Sequence, residues 1–255
     1  MKKVFILFLC VCCIIVLLIT SVGLISKLLI RNNISNLLDA IEREDVSCVQ
    51  AILEDGTDPN ETNIAPSIIW TFLETSPKRP LTVACSTGNL DIVKLLIEYG
   101  ATAEPQENLG YSPLRKTLFY YQPNDLEIVR LLLENGADAD EIDGEKLVFL
   151  AAKMMPKKFD KNKTNGTVFK DGYDDETAKG ITEIVKLLLD EQAVDSTSYG
   201  GKTLLMLAVQ KENLCLVQYL LSIDCDIDIK DLSGKTAYDY AIQSGNRDII
   251  ALLEN

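Results

Sequence analysis

Asp91-Ile92-Val93-Lys94-Leu95-Leu96-Ile97-Glu98-Tyr99-Gly100 comes back as Glu127-Ile128-Val129-Arg130-Leu131-Leu132-Leu133-Glu134-Asn135-Gly136, and again as Glu183-Ile184-Val185-Lys186-Leu187-Leu188-Leu189-Asp190. Weaker copies are Cys48-Val49-Gln50-Ala51-Ile52-Leu53-Glu54-Asp55-Gly56, Leu216-Val217-Gln218-Tyr219-Leu220-Leu221 and Ile249-Ile250-Ala251-Leu252-Leu253. Their first apolar residues fall at 48, 92, 128, 184, 216 and 249, so a period near 33 is stretched by insertion three times. Self-similarity at such a period is the mark of a stacked repeat architecture.

Each copy sets apolar residues at i, i+1, i+3 and i+4, a helical stripe too wide to leave in water. Gly56, Gly100 and Gly136 follow three of the copies, where a left-handed residue ends a helix. Upstream of the copies lies a second short segment rich in small residues: Ala84-Cys85, Ala151-Ala152, Ala208-Val209 and Ala241-Ile242. Small side chains allow close helix approach. Helices this short are unstable alone, so the array is the unit of stability.

The sequence resembles the ankyrin-repeat family, whose Gly-x-Thr-Pro-Leu-His pattern followed by a small pair survives in degraded form. It stands as Arg79-Pro80-Leu81-Thr82-Val83-Ala84-Cys85, as Ser112-Pro113-Leu114, as Gly201-Lys202-Thr203-Leu204-Leu205-Met206-Leu207-Ala208-Val209, and as Gly234-Lys235-Thr236-Ala237-Tyr238-Asp239-Tyr240-Ala241-Ile242. The resemblance covers residues 34–255 and implies an all-α fold: an ankyrin-repeat α-solenoid of about six helix-pair repeats with short hairpin turns. The repeats run approximately over 34–60, 79–104, 110–140, 144–196, 200–228 and 233–255, within a domain spanning 32–255. The family's histidine is replaced by Thr82, Arg115, Phe149, Met206 and Asp239. Gln192 and Asp224 stand where a helix-ending glycine is expected, which predicts local looseness in the fourth and fifth copies.

Val4 to Ser26, VFILFLCVCCIIVLLITSVGLIS, carries no charge, with Lys2 and Lys3 before it and Lys27 and Arg31 after it. A helix of this length crosses a ~30 Å hydrocarbon layer at about 1.5 Å per residue. Residues 1–31 are therefore expected to form one transmembrane helix. A cleaved signal peptide is the alternative, although its apolar core is usually shorter and Ser21-Val22-Gly23 is the sole tolerable cleavage site. The flanking charges are balanced. The short basic N-terminus resembles a signal-anchor, which places the repeat domain on the extracytoplasmic side; cleavage would leave it secreted or periplasmic.

The first 31 residues hold four basic residues and no acidic one, so the body carries 21 of the 25 basic residues and all 38 acidic ones. A body this acidic argues against nucleic acid, whose recognition needs a basic face. It is compatible with a solvated surface or with a basic protein partner. Seven cysteines show no CxxC pair and histidine is absent, which removes the usual zinc ligands and catalytic bases. No phosphate loop, nucleophile motif or metal spacing is present. Neither enzyme activity, a cofactor nor a small-molecule substrate is expected.

Three insertions break the period. Residues 61–78 contain the sole tryptophan, Trp70, which either extends the core or anchors a partner. A second, around Tyr120-Tyr121-Gln122-Pro123-Asn124, lengthens the turn inside the third copy, its tyrosines packing at the loop edge. The third, 153–178, is polar and fits a flexible loop. Asp160 to Asp171 departs from a calcium loop, with Asn165 at the glycine place and a short closing carboxylate.

What the resemblance implies for function is protein–protein interaction through a concave face of hairpin tips and first helices. By position these are the tip residues Asn108, Leu109, Tyr111, Glu145, Tyr199, Lys202, Leu232, Ser233 and Lys235, with helix residues Lys153, Gln210, Lys211, Gln243 and Ser244. Stacking does not need them, and Tyr111 and Tyr199 are the best anchors. The alternative use of the same face is protective or inhibitory capture of one partner, as in toxin immunity.

Overall fold

The computed structural model describes residues 33–62, 78–104, 111–140, 146–154, 174–190 and 194–254. Among them are twelve helices: α1 (33–42), α2 (Val46–Glu54), α3 (Pro80–Thr87), α4 (Leu90–Glu98), α5 (Pro113–Thr117), α6 (Asp125–Glu134), α7 (Leu147–Ala152), α8 (Asp175–Leu188), α9 (Leu204–Gln210), α10 (Leu214–Ser222), α11 (Ala237–Ser244) and α12 (Arg247–Leu253). Odd and even helices form antiparallel pairs, one pair per repeat. Each even helix packs on the next even one from α2 to α12, while α3 packs on α5, and α9 on both α7 and α11. The result is an all-α solenoid of two helical layers.

The repeated stripe explains the stacking. Ile92, Val93 and Leu96 are buried, as are Ile128, Val129 and Leu132, Ile184, Val185 and Leu188, and Leu216, Val217 and Leu220. The i+3 residues Leu95, Leu131, Leu187 and Tyr219 are half-buried at the seam to the neighbouring repeat. Burying one such leucine or isoleucine contributes about 1.5–3 kcal/mol, which is what makes helices of seven to ten residues stable here. The first-helix layer is held close by Ala84, Ala151, Ala208 and Ala241, each with no exposed surface. Pro80 and Pro113 open α3 and α5, where a missing N–H costs nothing.

Helix ends follow the sequence with one instructive departure. Gly56, Gly100 and Gly136 have φ of +88°, +90° and +87°. Asp224 adopts φ +55° in the same place, closing α10 with the same N–H bonds back into the helix. Aspartate tolerates this region better than most residues, so the expected looseness is not seen at Asp224. Gln192 lies outside the described residues, as do residues 1–31 and their expected membrane span, Trp70, and Asp160 to Asp171. Among the described residues no helix is long and apolar enough to cross a membrane.

The last residues of the 153–178 segment are helical, because α8 starts at Asp175 behind the Asp174 cap, whose carboxylate accepts from Thr177 N. This extra length receives the second insertion: Tyr121 is buried against Gly180, where any Cβ would collide with its hydroxyl. Tyr120 remains half exposed. Cys48, Cys85, Cys215 and Cys225 are free thiols, with Cys85 and Cys225 buried.

Asparagines at the start of the second helices tie one repeat to the previous one. Asn89 Oδ1 accepts from Ile92 N at 3.2 Å while its Nδ2 donates to Glu44 Oε2 at 3.4 Å. Asn246 repeats this with Ile249 N and Glu212 Oε2, both at 3.3 Å. Asn213, only 1% exposed, accepts from Leu216 N at 3.0 Å and donates to Ala178 O at 3.2 Å. Asn124 Nδ2 reaches back to Gly88 O at 3.1 Å. Asn213→Ala removes the cap on Leu216 N and the inter-repeat bond to Ala178 O, which keeps Thr182 Oγ1 as a donor, and should cost about 1–2 kcal/mol in urea unfolding; a loss below about 0.5 kcal/mol would show that the tie is dispensable.

Candidate protein-binding face

The last two repeats present a site built twice, 33 residues apart. In the first, Ser198 N donates to Lys202 O and Gly201 N to Ser198 O, both at 2.8 Å. In the second, Asp231 N donates to Lys235 O and Gly234 N to Asp231 O, both at 2.9 Å. The turns need Gly201 and Gly234, whose φ values are +71° and +75°. Thr203 and Thr236 then cap α9 and α11 by accepting from Met206 N and Asp239 N. Each turn raises one apolar side chain into solvent: Tyr199 is 82% exposed and Leu232 83%. The tips touch, because a Cβ on Gly201 would lie 2.9 Å from both Leu232 Cγ and Leu232 N.

Below the tips a polar ladder runs toward the helix ends. Lys202 Nζ donates to Gln210 Oε1 at 2.9 Å and Lys235 Nζ to Gln243 Oε1 at 3.2 Å. Both ammonium groups lie over the Tyr240 ring, 5.0 and 5.3 Å from its centre. The Tyr240 hydroxyl donates to Asp231 Oδ2, and Asp231 Oδ1 accepts from Ser233 N and Lys235 N at 2.8 and 3.0 Å. These bonds, that of Tyr240 foremost, hold the Asp231 carboxyl below its ordinary range. The same hydrogen bond, with a smaller contribution from burial, pushes the Tyr240 phenol up to about 12.

Lys153 and Lys211 occupy the C-caps of α7 and α9. The Lys211 ammonium is pushed down, first by burial and then by the charge of Lys153. In the third repeat Tyr111, 49% exposed, meets Phe119 edge-on at 5.2 Å, with Arg115 5.1 Å above Tyr111 and Lys116 5.2 Å above Phe119. Among the described residues no group of acidic or cysteine side chains could hold a metal ion.

Tyr199, Lys202, Gln210, Leu232, Ser233, Lys235 and Gln243 thus fall on one connected surface, with Lys153 and Lys211 beside each other on the first-helix layer. Ser244 is exposed but turns its hydroxyl back to Ala241 O at 2.9 Å. Asn108, Leu109 and Glu145 lie outside the described residues. Sequence reasoning passed over Tyr240, Lys116 and Phe119, and saw Arg115 only as a histidine replacement. The 33-residue register held the signal for Tyr240, which occupies the place of buried Leu207 and so marks an aromatic brought to the surface.

A family model described as ankyrin repeats (three copies) matches residues 37–143 and 177–255. The chain belongs to the ankyrin-repeat family. Ankyrin arrays are typically non-catalytic protein–protein interaction modules, and this chain has that architecture throughout its described residues. A putative ankyrin repeat protein of Rickettsia bellii (strain RML369-C) is 28% identical over 96 residues, covering 32% of this chain and 40% of that protein. The crystal structure of EF0377, an ankyrin repeat protein, is similar with a TM-score of 0.59 and 25% identity, over 87% of this chain and 98% of that one. A chain in the complex of the Bd0816 predatory endopeptidase from Bdellovibrio bacteriovorus with immunity protein Bd3460 shares the fold, with a TM-score of 0.58 and 21% identity, over 86% and 96% of the two chains.

A raised tyrosine pKa means that the protonated phenol is favoured by folding. The Tyr240–Asp231 bond therefore adds stability below the ordinary tyrosine range and loses it as pH rises through about 12. In a tyrosine-selective ¹³C NMR titration, Asp231→Asn should return Tyr240 toward its usual value of 10.0; an unchanged titration would remove Asp231 as the cause.

Proposed function

We propose that this chain is a membrane-anchored adaptor that holds a protein partner on its concave face, with the contact centred on the tips of the fifth and sixth repeats. The observation that carries the reading is the pair of tip residues, Tyr199 and Leu232, more than four-fifths exposed on rigid, internally hydrogen-bonded turns. Large apolar side chains held out into water are what an interface core is made from. The charge-free run from Val4 to Ser26 supports an N-terminal anchor, and its short basic leader supports an extracytoplasmic repeat domain. Cleavage of that run, giving a secreted or periplasmic domain, is the alternative address. The acidity of the whole body favours basic partners in general, although the tips themselves carry lysines.

A second reading is tight capture of one partner in a protective role. It draws support from the fold shared with a chain of the endopeptidase–immunity protein complex. The two readings differ in stoichiometry and in the number of partners.

A photo-crosslinking residue at position 199 or 232 should capture the partner, while one at the exposed Gln218 of α10 should not. Capture from Gln218 alone would move the interface to the outer layer. With a tag after Asn255, protease added to intact cells, any outer envelope having been opened, should digest the repeat domain. Protection until the membrane is broken would place the domain in the cytosol.

A further inference from the structure

The sixth repeat follows the pattern of the fifth on one side and departs from it on the other. Among the described residues α11 and α12 pack on α9 and α10 and on each other. In the repeat register Tyr238 and Ile242 stand where Leu205 and Val209 stand one repeat earlier. Leu205 and Val209 are 2% and 0% exposed, whereas Tyr238 and Ile242 are 37% and 54% exposed. On this open side Ile227, Tyr238 and Leu253 form the apolar wall of a groove of about 300 Å³, completed by Thr236, Asp228 and Glu254. Such a volume lies at the foot of the roughly 300–1,000 Å³ range of ligand pockets, enough for a side chain or two and too little for a folded neighbour.

The rim of this groove is acidic, and none of the residues lining it is basic. Asp224 and Asp226 precede Ile227 in the same loop. Neither Asp228 nor Glu254 forms an ion pair with a described residue. Glu254 Oε1 accepts from the Tyr238 hydroxyl at 2.8 Å, and a carboxylate has room for further donors. Glu254 is also the C-cap of α12, where the helix dipole is already negative and a cation is favoured. Asp239 stands behind the groove, held by the N–H and hydroxyl of Thr236. The cations of this repeat are committed elsewhere. Lys235 donates to Gln243 and rests on the Tyr240 ring, Lys230 and Lys235 act on Asp239, and Arg247 opens α12 at the end opposite Glu254.

We infer that the groove on the open side of the sixth repeat docks a basic segment of a protein partner, an apolar side chain of it on Ile227, Tyr238 and Leu253 and an adjacent lysine or arginine at Asp228 and Glu254. This surface is separate from the concave face, so it stands whether or not the tips bind. The same rim selects against a second copy of the chain. Pairing this side with itself would set Asp228 and Glu254 against their own counterparts, with no basic lining residue to answer them. Opposite charge across a contact selects the partner and speeds encounter, while the apolar seat holds it.

The test uses the full chain in a nonionic detergent and two fluorescein-labelled probes, a peptide of alternating Lys and Leu and its Lys-and-Gln counterpart. The Lys-and-Leu peptide should bind, more weakly as salt rises, and the Lys-and-Gln peptide about tenfold more weakly. Asp228→Asn/Glu254→Gln should weaken the first peptide by about tenfold or more. Ile227→Ser should weaken it as well, while Asp91→Asn/Glu98→Gln on α4 leaves it unchanged. Glu254→Gln keeps an acceptor for Tyr238, and circular dichroism melting of each variant checks that the fold persists. Failure of the Lys-and-Leu peptide to bind, equal binding of the two peptides, or an equal loss from the α4 pair would overturn the inference and leave only attraction to an acidic body. If Tyr199→Ala/Leu232→Ala abolishes binding and Asp228→Asn/Glu254→Gln does not, the peptide sits on the tips; the concave-face reading then stands and this one falls. A chain that sediments as a dimer, and as a monomer after Ile227→Ser, would give the groove to a second copy and overturn the inference too.

Discussion

The asparagine at the start of four of the six second helices, α4, α6, α10 and α12, is a constraint that ties the solenoid's repeats together, with Asp45 and Asp174 in that place in α2 and α8. One side chain satisfies an orphan N–H of its own helix and donates to the repeat before it, so a local capping requirement also sets the spacing between repeats. Asn89, Asn213 and Asn246 do both, and Asn124 keeps the backward bond without the cap. The acceptors differ, a glutamate carboxylate in two cases and a main-chain carbonyl in the others, yet the geometry is kept. Apolar burial supplies the larger energy but is non-directional; the amides tell each layer where to stop.

That division of labour leaves the hairpin tips unburdened. The buried stripe does not depend on Tyr199, Leu232, Lys202 or Lys235, although Leu232 touches Gly201 and Lys202 reaches the Tyr240 ring, and the turns that carry them are closed by their own backbone bonds. A rigid turn presenting an apolar residue spends little conformational entropy on binding. The same holds for the tyrosine–aspartate pair beneath, which fixes a surface aromatic as a platform for two ammonium groups.

The repeat register, helix pairing and buried stripe were legible in the residues, because a hydrophobic period of 33 imposes itself whatever the local propensities. Asp224 was harder to read: an aspartate in a glycine place suggests a loose end, yet its short side chain accepts the left-handed conformation. The length of α8 was hidden by the polar composition of Asp174-Asp175-Glu176-Thr177, which reads equally as loop or as a capped acidic first turn. At the site, positions could be transferred from one repeat to the next, but partners could not. That Lys202 and Lys235 share one ring depends on how two repeats stack, which no single repeat encodes.

The contact between Gly201 and Leu232 has a mechanical consequence. Adjacent repeats are fastened at the helix start by Asn246 and Glu212, and at the tip by a leucine seated on a bare backbone. The fifth and sixth repeats therefore meet at two places besides their helical packing. On the reading proposed above, a partner at this end would meet two repeats already held to each other at both places.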